Sequence, residues 1–175
     1  MITQGPRVIQ TIYCKGKSTM PIRYAHTNIN AKDWKRLSKF YQDVFGCRPV
    51  GPQRNLHGAW FEQVTGVKDA AVQGEHIALP GYPEGGPTLE IFTYNHPDGE
   101  RPASINGYGF AHIAFAVDDV DEVWARFQAA GGSSCGEKVI SYYPSLNQTL
   151  TVIYAKDPEG NAVELMNWKD GNLEK

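Results

Sequence analysis

Cysteine is scarce in this chain: Cys14, Cys47 and Cys135 are the only three in 175 residues. The number is odd and no CxxC pair occurs, which argues against a disulfide framework or a zinc ribbon and fits a reducing compartment. Long apolar runs are also lacking. No stretch approaches the 18 or so consecutive apolar residues of a membrane span, and MITQGPRVIQTIYCKGKSTM at the start holds no signal-like apolar core. Nor does charge of one sign accumulate. The 17 lysines and arginines and 19 aspartates and glutamates are scattered, for a net charge of −2. That balance leaves no basic footprint for nucleic acid or an anionic membrane. These absences predict a soluble, cytoplasmic protein with neither nucleic acid nor membrane among its partners.

What the chain does contain is hydrophobic periodicity of two kinds. IRYAHTNI (22–29) reads as a strand, and AKDWKRLSKFYQDVFG as an amphipathic helix with Trp34, Leu37, Phe40, Tyr41, Val44 and Phe45 at helical spacing. Gly46 is placed to close that helix and Asp33 to favour its start. CRPV suggests a short strand and GAWFEQVTG a short helix in an excursion. AVQGEHIAL and TLEIFTYN follow as strands around the turn-rich PGYPEGGP. After FAHIAFAV come a second amphipathic helix, DDVDEVWARFQAAGG, and three closing strands, EKVIS, TLTVIYAKD and NAVELMNW.

The order strand, helix, three strands thus occurs twice, and the copies keep register. His26 precedes Asp33 by seven residues and Gly46 by twenty; His112 precedes Asp119 by seven and Gly132 by twenty. Late in each half a PEG turn leads into a strand bearing a glutamate, Glu90 in the first and Glu164 in the second. The pattern is an internal duplication of a βαβββ unit. It divides the chain into an N-terminal arm (1–20), a first module (21–95), a linker (96–108), a second module (109–168) and a C-terminal tail (169–175).

Two related units paired about a pseudo-two-fold axis would bring equivalent positions together. The pattern therefore predicts that His26, Glu90, His112 and Glu164 converge. Two imidazoles and two carboxylates suit one divalent metal ion per site: zinc, nickel, cobalt, manganese or iron. Strand alternation puts Asn28 on the face of His26, Phe110 on that of His112, Phe92 and Tyr94 on that of Glu90, and Met166 and Trp168 on that of Glu164. These six are the expected pocket walls.

The stretches AHTNINAKDWKRLSKFYQDVFG, LEIFTYN, GFAHIAFAVDDVDEVWARFQAAGG and DPEGNAVELMNW together resemble the vicinal oxygen chelate superfamily. It holds glyoxalase I, epimerases, fosfomycin and bleomycin resistance proteins, and extradiol dioxygenases. The resemblance covers about residues 22–168. It implies an α+β fold of two paired βαβββ modules forming a half-open barrel, and a homodimer. By position His26, Glu90, His112 and Glu164 fall on the four metal ligands of glyoxalase I, with Glu164 on the catalytic glutamate and Glu90 as second candidate. The implied function is a metal-dependent lyase or isomerase that chelates a small-molecule substrate by vicinal oxygens and shifts a proton through an enediolate.

One position departs from the pattern. Bacterial glyoxalase I carries an arginine for the glutathione carboxylate four residues after the first histidine, where this chain has Asn30. Asparagine lacks the charged bidentate fork, so the glutathione substrate does not carry over with the resemblance and the substrate stays open. The excursion GPQRNLHGAWFEQVTGVKD is expected to lid or reshape the pocket.

Two alternatives use the same fold. One is an Fe(II) extradiol-type dioxygenase with His26, His112 and Glu164 as a facial triad, against which Glu90 counts as a fourth ligand. The other is a non-catalytic ligand-binding or resistance protein. His57, His76 and His96 have no repeat partner and read as structural or solvent-exposed, Glu84 and Glu159 as solvated turn residues, and Cys47 and Cys135 as buried thiols.

Overall fold

The protein is described from a computed structural model covering residues 23–99 and 104–173. The N-terminal arm lies outside the described residues, as do part of the linker and the last two residues of the tail.

In the first half, β1 (His26–Asn30) leads to α1 (Trp34–Phe45), β2 (Arg48–His57), α2 (Ala59–Thr65), β3 (Ala71–Ala78) and β4 (Thr88–Tyr94). The second half runs β5 (His112–Ala116), α3 (Val120–Ala129), β6 (Ser133–Ser134), β7 (Val139–Tyr143), β8 (Gln148–Lys156) and β9 (Ala162–Asp170). Each half makes its own mixed sheet, ordered β1-β4-β3-β2 in the first. In the second the order is β5-β9-β8, with β6 and β7 both on β8. Among the described residues the fold is α+β with two open sheets and no closed barrel, as the resemblance implies.

The duplication extends to single hydrogen bonds. Each sheet joins its first strand to its last in parallel, β1 to β4 and β5 to β9. Just past the first strand, Ala31 N–H donates to Phe92 O (2.7 Å), and at the equivalent place Val117 N–H donates to Met166 O (2.9 Å). Both helices start at the matched aspartates. Asp33 accepts from the N–H groups of Lys35 and Arg36, and Asp119 from that of Glu122, satisfying donors that a helix start leaves unpaired. Gly46 ends α1 with φ 71°, a left-handed conformation glycine adopts without penalty.

The two helices and the facing sides of both sheets share one core. Leu37, Phe40, Tyr41 and Val44 of α1 join Ile77, Leu89 and Ile91 of the first sheet. Val120, Val123 and Phe127 of α3 and Phe115, Ile153, Val163 and Leu165 of the second sheet complete it. Phe45 stacks on Phe115 with centroids 3.8 Å apart, and Phe40 meets Phe127 edge-on at 4.9 Å. Because side chains alternate along a strand, burying Ile91 and Leu165 in this core turns Glu90 and Glu164 to the opposite faces of their sheets.

Three local expectations are corrected. The short strand expected at CRPV is the ten-residue β2, an edge strand with a register shift between Val50 and Arg54 that accommodates Gly51 and Pro52. β5 begins at His112 rather than at Phe110, because Gly109 sits at φ 109° and turns the chain before the strand. Cys47 is buried, but Cys135 is exposed.

Candidate metal centre

On each outer sheet face a histidine and a glutamate meet across the seam between first and last strand. In the first sheet His26 pairs with Thr88 and Asn28 with Glu90; in the second His112 pairs with Ala162 and Ala114 with Glu164. Each histidine therefore stands one same-face step from the residue beside the glutamate. His26 Nε2 lies 3.6 Å from Glu90 Oε2, and His112 Nε2 lies 3.2 Å from Glu164 Oε2. Both carboxylates are largely buried, with side chains 17% and 14% exposed.

The 3.2 Å separation falls within the spacing of two donors to a common ion, and the 3.6 Å separation lies just beyond it. Two ligand atoms each about 2.1 Å from a metal lie about 3.0 Å apart at a right angle and about 3.4 Å apart at the tetrahedral angle. The 3.6 Å pair is too long for a good hydrogen bond. Imidazole nitrogen with carboxylate oxygen is also the donor chemistry of zinc, nickel, cobalt, manganese and iron sites. The residues present thus fit a divalent metal. They occur as two pairs on two sheets, and no group of three or more His, Cys, Asp or Glu among the described residues of one chain is arranged to hold an ion.

The two carboxylates have different surroundings. Asn28 Nδ2 donates to Glu90 Oε2 and to the Glu90 carbonyl, both at 3.2 Å. On the other side stands His76, opposite Glu90 in the β3–β4 register, with Nε2 2.9 Å from Glu90 Oε1 and Nδ1 2.9 Å from Thr88 Oγ1. Its ring meets that of His26 edge-on at 5.4 Å. Burial holds the His76 imidazole below its ordinary value against the pull of the Glu90 carboxylate, with Arg54 and His26 adding to the lowering. For Glu164, His112 is the polar partner found among the described residues. The residue opposite it is Tyr154, whose ring contacts His112 edge-on at 5.1 Å. Burial and then the Glu164 charge raise the Tyr154 phenol above its ordinary value.

His76 is the residue that sequence reasoning passed over. Having no repeat partner was read as a sign of a structural role, yet folding β3 onto β4 about the middle of PGYPEGGP sets residue 76 opposite residue 90. That symmetry was the available signal.

The expected pocket residues are distributed unevenly. Asn28 reaches Glu90. Phe92 lies over Gly74, where a Cβ would overlap its ring, and packs with Phe61 of α2, Ala70 and Val72 in a small second core. Tyr94 stacks on Phe61 at 6.3 Å. The excursion helix therefore packs on the Phe92–Tyr94 end of that sheet face. Met166 pairs with Val152 on the face of Glu164, and Trp168 is partly exposed against Tyr143 at 5.1 Å. Phe110 precedes β5 and is fully exposed.

The profile of the Glyoxalase/Bleomycin resistance protein/Dioxygenase superfamily matches residues 23–165. This chain belongs to that superfamily. A probable lactoylglutathione lyase of Vibrio parahaemolyticus is 28% identical over 150 residues, covering 86% of this chain and 94% of the relative. A lactoylglutathione lyase of Haemophilus influenzae is 27% identical, covering 82% and 91%. Among solved structures, a glyoxalase family protein from Bacillus cereus superposes with a TM-score of 0.66 at 23% identity, covering 89% and 97%. A genomically encoded fosfomycin resistance protein from Listeria monocytogenes gives 0.54 at 19% identity, covering 89% and 96%. These neighbours share the fold. No helix among the described residues is long and apolar enough to cross a membrane.

Proposed function

We propose that the protein is a metal-dependent lyase or isomerase that binds a small substrate by two neighbouring oxygens and moves a proton between adjacent carbons. The observation that carries this reading is the repeated His–Glu pair, with nitrogen and oxygen 3.6 Å apart on one sheet and 3.2 Å on the other. The relatives named lactoylglutathione lyase support the reaction class.

His26, Glu90, His112 and Glu164 would hold the ion. A bound divalent ion supplies a Lewis acid for a carbonyl oxygen. Glu164 is the proton carrier in this reading, since its carboxylate has fewer polar partners than that of Glu90 and can exchange a proton with a carbon held in front of it. Glu90, bonded from both sides, serves as a fixed ligand. Asn30 at the exposed end of β1 offers no cation for a glutathione carboxylate, which favours a substrate other than the glutathione hemithioacetal.

The two pairs of one chain face away from their shared core, so a complete set needs a second copy: His26 and Glu90 from one chain, His112 and Glu164 from its partner. Sedimentation should show a dimer carrying metal, with zinc, nickel or cobalt supporting the isomerase. Iron together with oxygen uptake on catechols would overturn it. Mixing the inactive variants His26→Ala and His112→Ala under subunit exchange should restore metal binding at one site in each mixed dimer. Restoration fails if each site is built within a single chain.

A further inference from the structure

We propose that His76 is a positioning residue for the metal centre: by holding Glu90 Oε1 it leaves Oε2 as the single oxygen offered to the ion beside His26. The inference rests on the metal-centre reading above and adds to it a residue outside the four ligands.

A glutamate side chain ends in a torsion with broad, roughly two-fold preference. Left alone, its carboxylate can present either oxygen, both at once, or swing off the ion. His76 removes that freedom. Its Nε2 sits 2.9 Å from Oε1 while Nδ1 sits 2.9 Å from Thr88 Oγ1, so both ring nitrogens are engaged and the imidazole cannot turn. A carboxylate only accepts, so Nε2 carries the hydrogen and donates. Nδ1 in the neutral ring must then accept, and the Thr88 hydroxyl donates to it. One face of β4 thus supplies both anchors, Thr88 and Glu90, two residues apart. Oε2 accepts from Asn28 and lies 3.6 Å from His26 Nε2.

The same position in the other half lacks the device. Tyr154 stands opposite Glu164 as His76 stands opposite Glu90, and its ring contacts His112. One of two duplicated carboxylates is therefore clamped and the other is not. That asymmetry suits a division between a ligand that must stay and a carboxylate that must move.

Co(II) binding to apo-protein tests this without any substrate. Changing His76→Phe keeps a planar ring and removes both hydrogen bonds; His76→Gln keeps a side-chain N–H that can reach Oε1. The Phe variant should bind Co(II) about ten- to a hundredfold more weakly and shift the visible absorption as Glu90 changes its mode of attachment. The Gln variant should stay within about threefold of wild type, and circular dichroism should show all three equally folded. Equal affinity and an unchanged spectrum in His76→Phe would overturn the proposal while leaving the metal centre intact. Failure of wild type itself to bind Co(II) would overturn the metal-centre reading and this proposal with it.

Discussion

Tyr41 donates a hydrogen bond of 2.9 Å to Asp157 across the junction of the two halves. The tyrosine is fully buried in α1, and the aspartate, which opens the DPEGN turn between β8 and β9, is buried too. The other carboxylate oxygen accepts from the N–H groups of Glu159 and Asn161. Glu159, expected as a solvated turn residue, accepts from Asp33 N–H at 3.0 Å. The turn before β9 therefore grips the start and middle of the helix of the other half.

Tyr41→Phe should lower stability by about 2 kcal/mol, the scale of a hydrogen bond to a charged group whose partner stays buried. Chemical denaturation with an unchanged slope would check it. Burial raises the Asp157 carboxyl above its ordinary value, against the hydrogen bonds from Asn161, Tyr41 and Glu159. The folded state thus keeps this proton to higher pH than the unfolded chain. Its contribution is fully present below about pH 4 and is lost as pH rises through the raised value. Asp157→Asn should flatten that part of the stability profile; an unchanged slope just above pH 4 would count against the assignment.

Glu164→Gln should retain the metal and lose turnover by about two to four orders of magnitude, the usual contribution of a positioned general base. Metal content and rate must be measured on the same sample. Loss of both together would make Glu164 a ligand without a separate role in proton transfer.

Phe61 is the one fully apolar anchor of α2 that is buried, and it holds that helix on Val72 and Phe92. Phe61→Ala should release α2 locally at a cost of about 3 kcal/mol. Hydrogen exchange should speed up at residues 59–65 and leave α1 protected. Uniform acceleration would mean that the excursion is part of the main cooperative unit.

The cysteines give a simple contrast. Burial pushes the Cys47 thiol up to about 11, whereas Cys135 is exposed. Alkylation near pH 8 followed by mass mapping should modify Cys135 and spare Cys47.

Much of the fold was legible because a duplication checks itself. Seven residues from His26 to Asp33 and from His112 to Asp119 located two strands, two helix caps and one repeat at once. Strand alternation then put Asn28 on the face of His26, Phe92 and Tyr94 on that of Glu90, and Met166 on that of Glu164. What stayed hidden depends on pairings between strands. His76 acquires a partner through the β3–β4 register, and Phe110 loses its place on a strand through the backbone of Gly109. β2 runs well past CRPV because an edge strand tolerates Gly51 and Pro52 at a register shift. Which carboxylate is clamped was likewise invisible, since it turns on a histidine in one hairpin and a tyrosine in the other.

Each His–Glu pair straddles the seam where the first strand of its half is joined by the last, 64 residues apart in one case and 52 in the other. Contacts of such sequence separation carry a larger loop-closure cost than hairpin contacts and form more slowly. A chain stalled with its hairpins made but β1 or β5 undocked would possess the glutamates without their imidazoles. An ion that needs both would then stabilise finished chains over stalled ones by mass action. The seams that place the ligands would in that way let the ion inspect the folding of each copy.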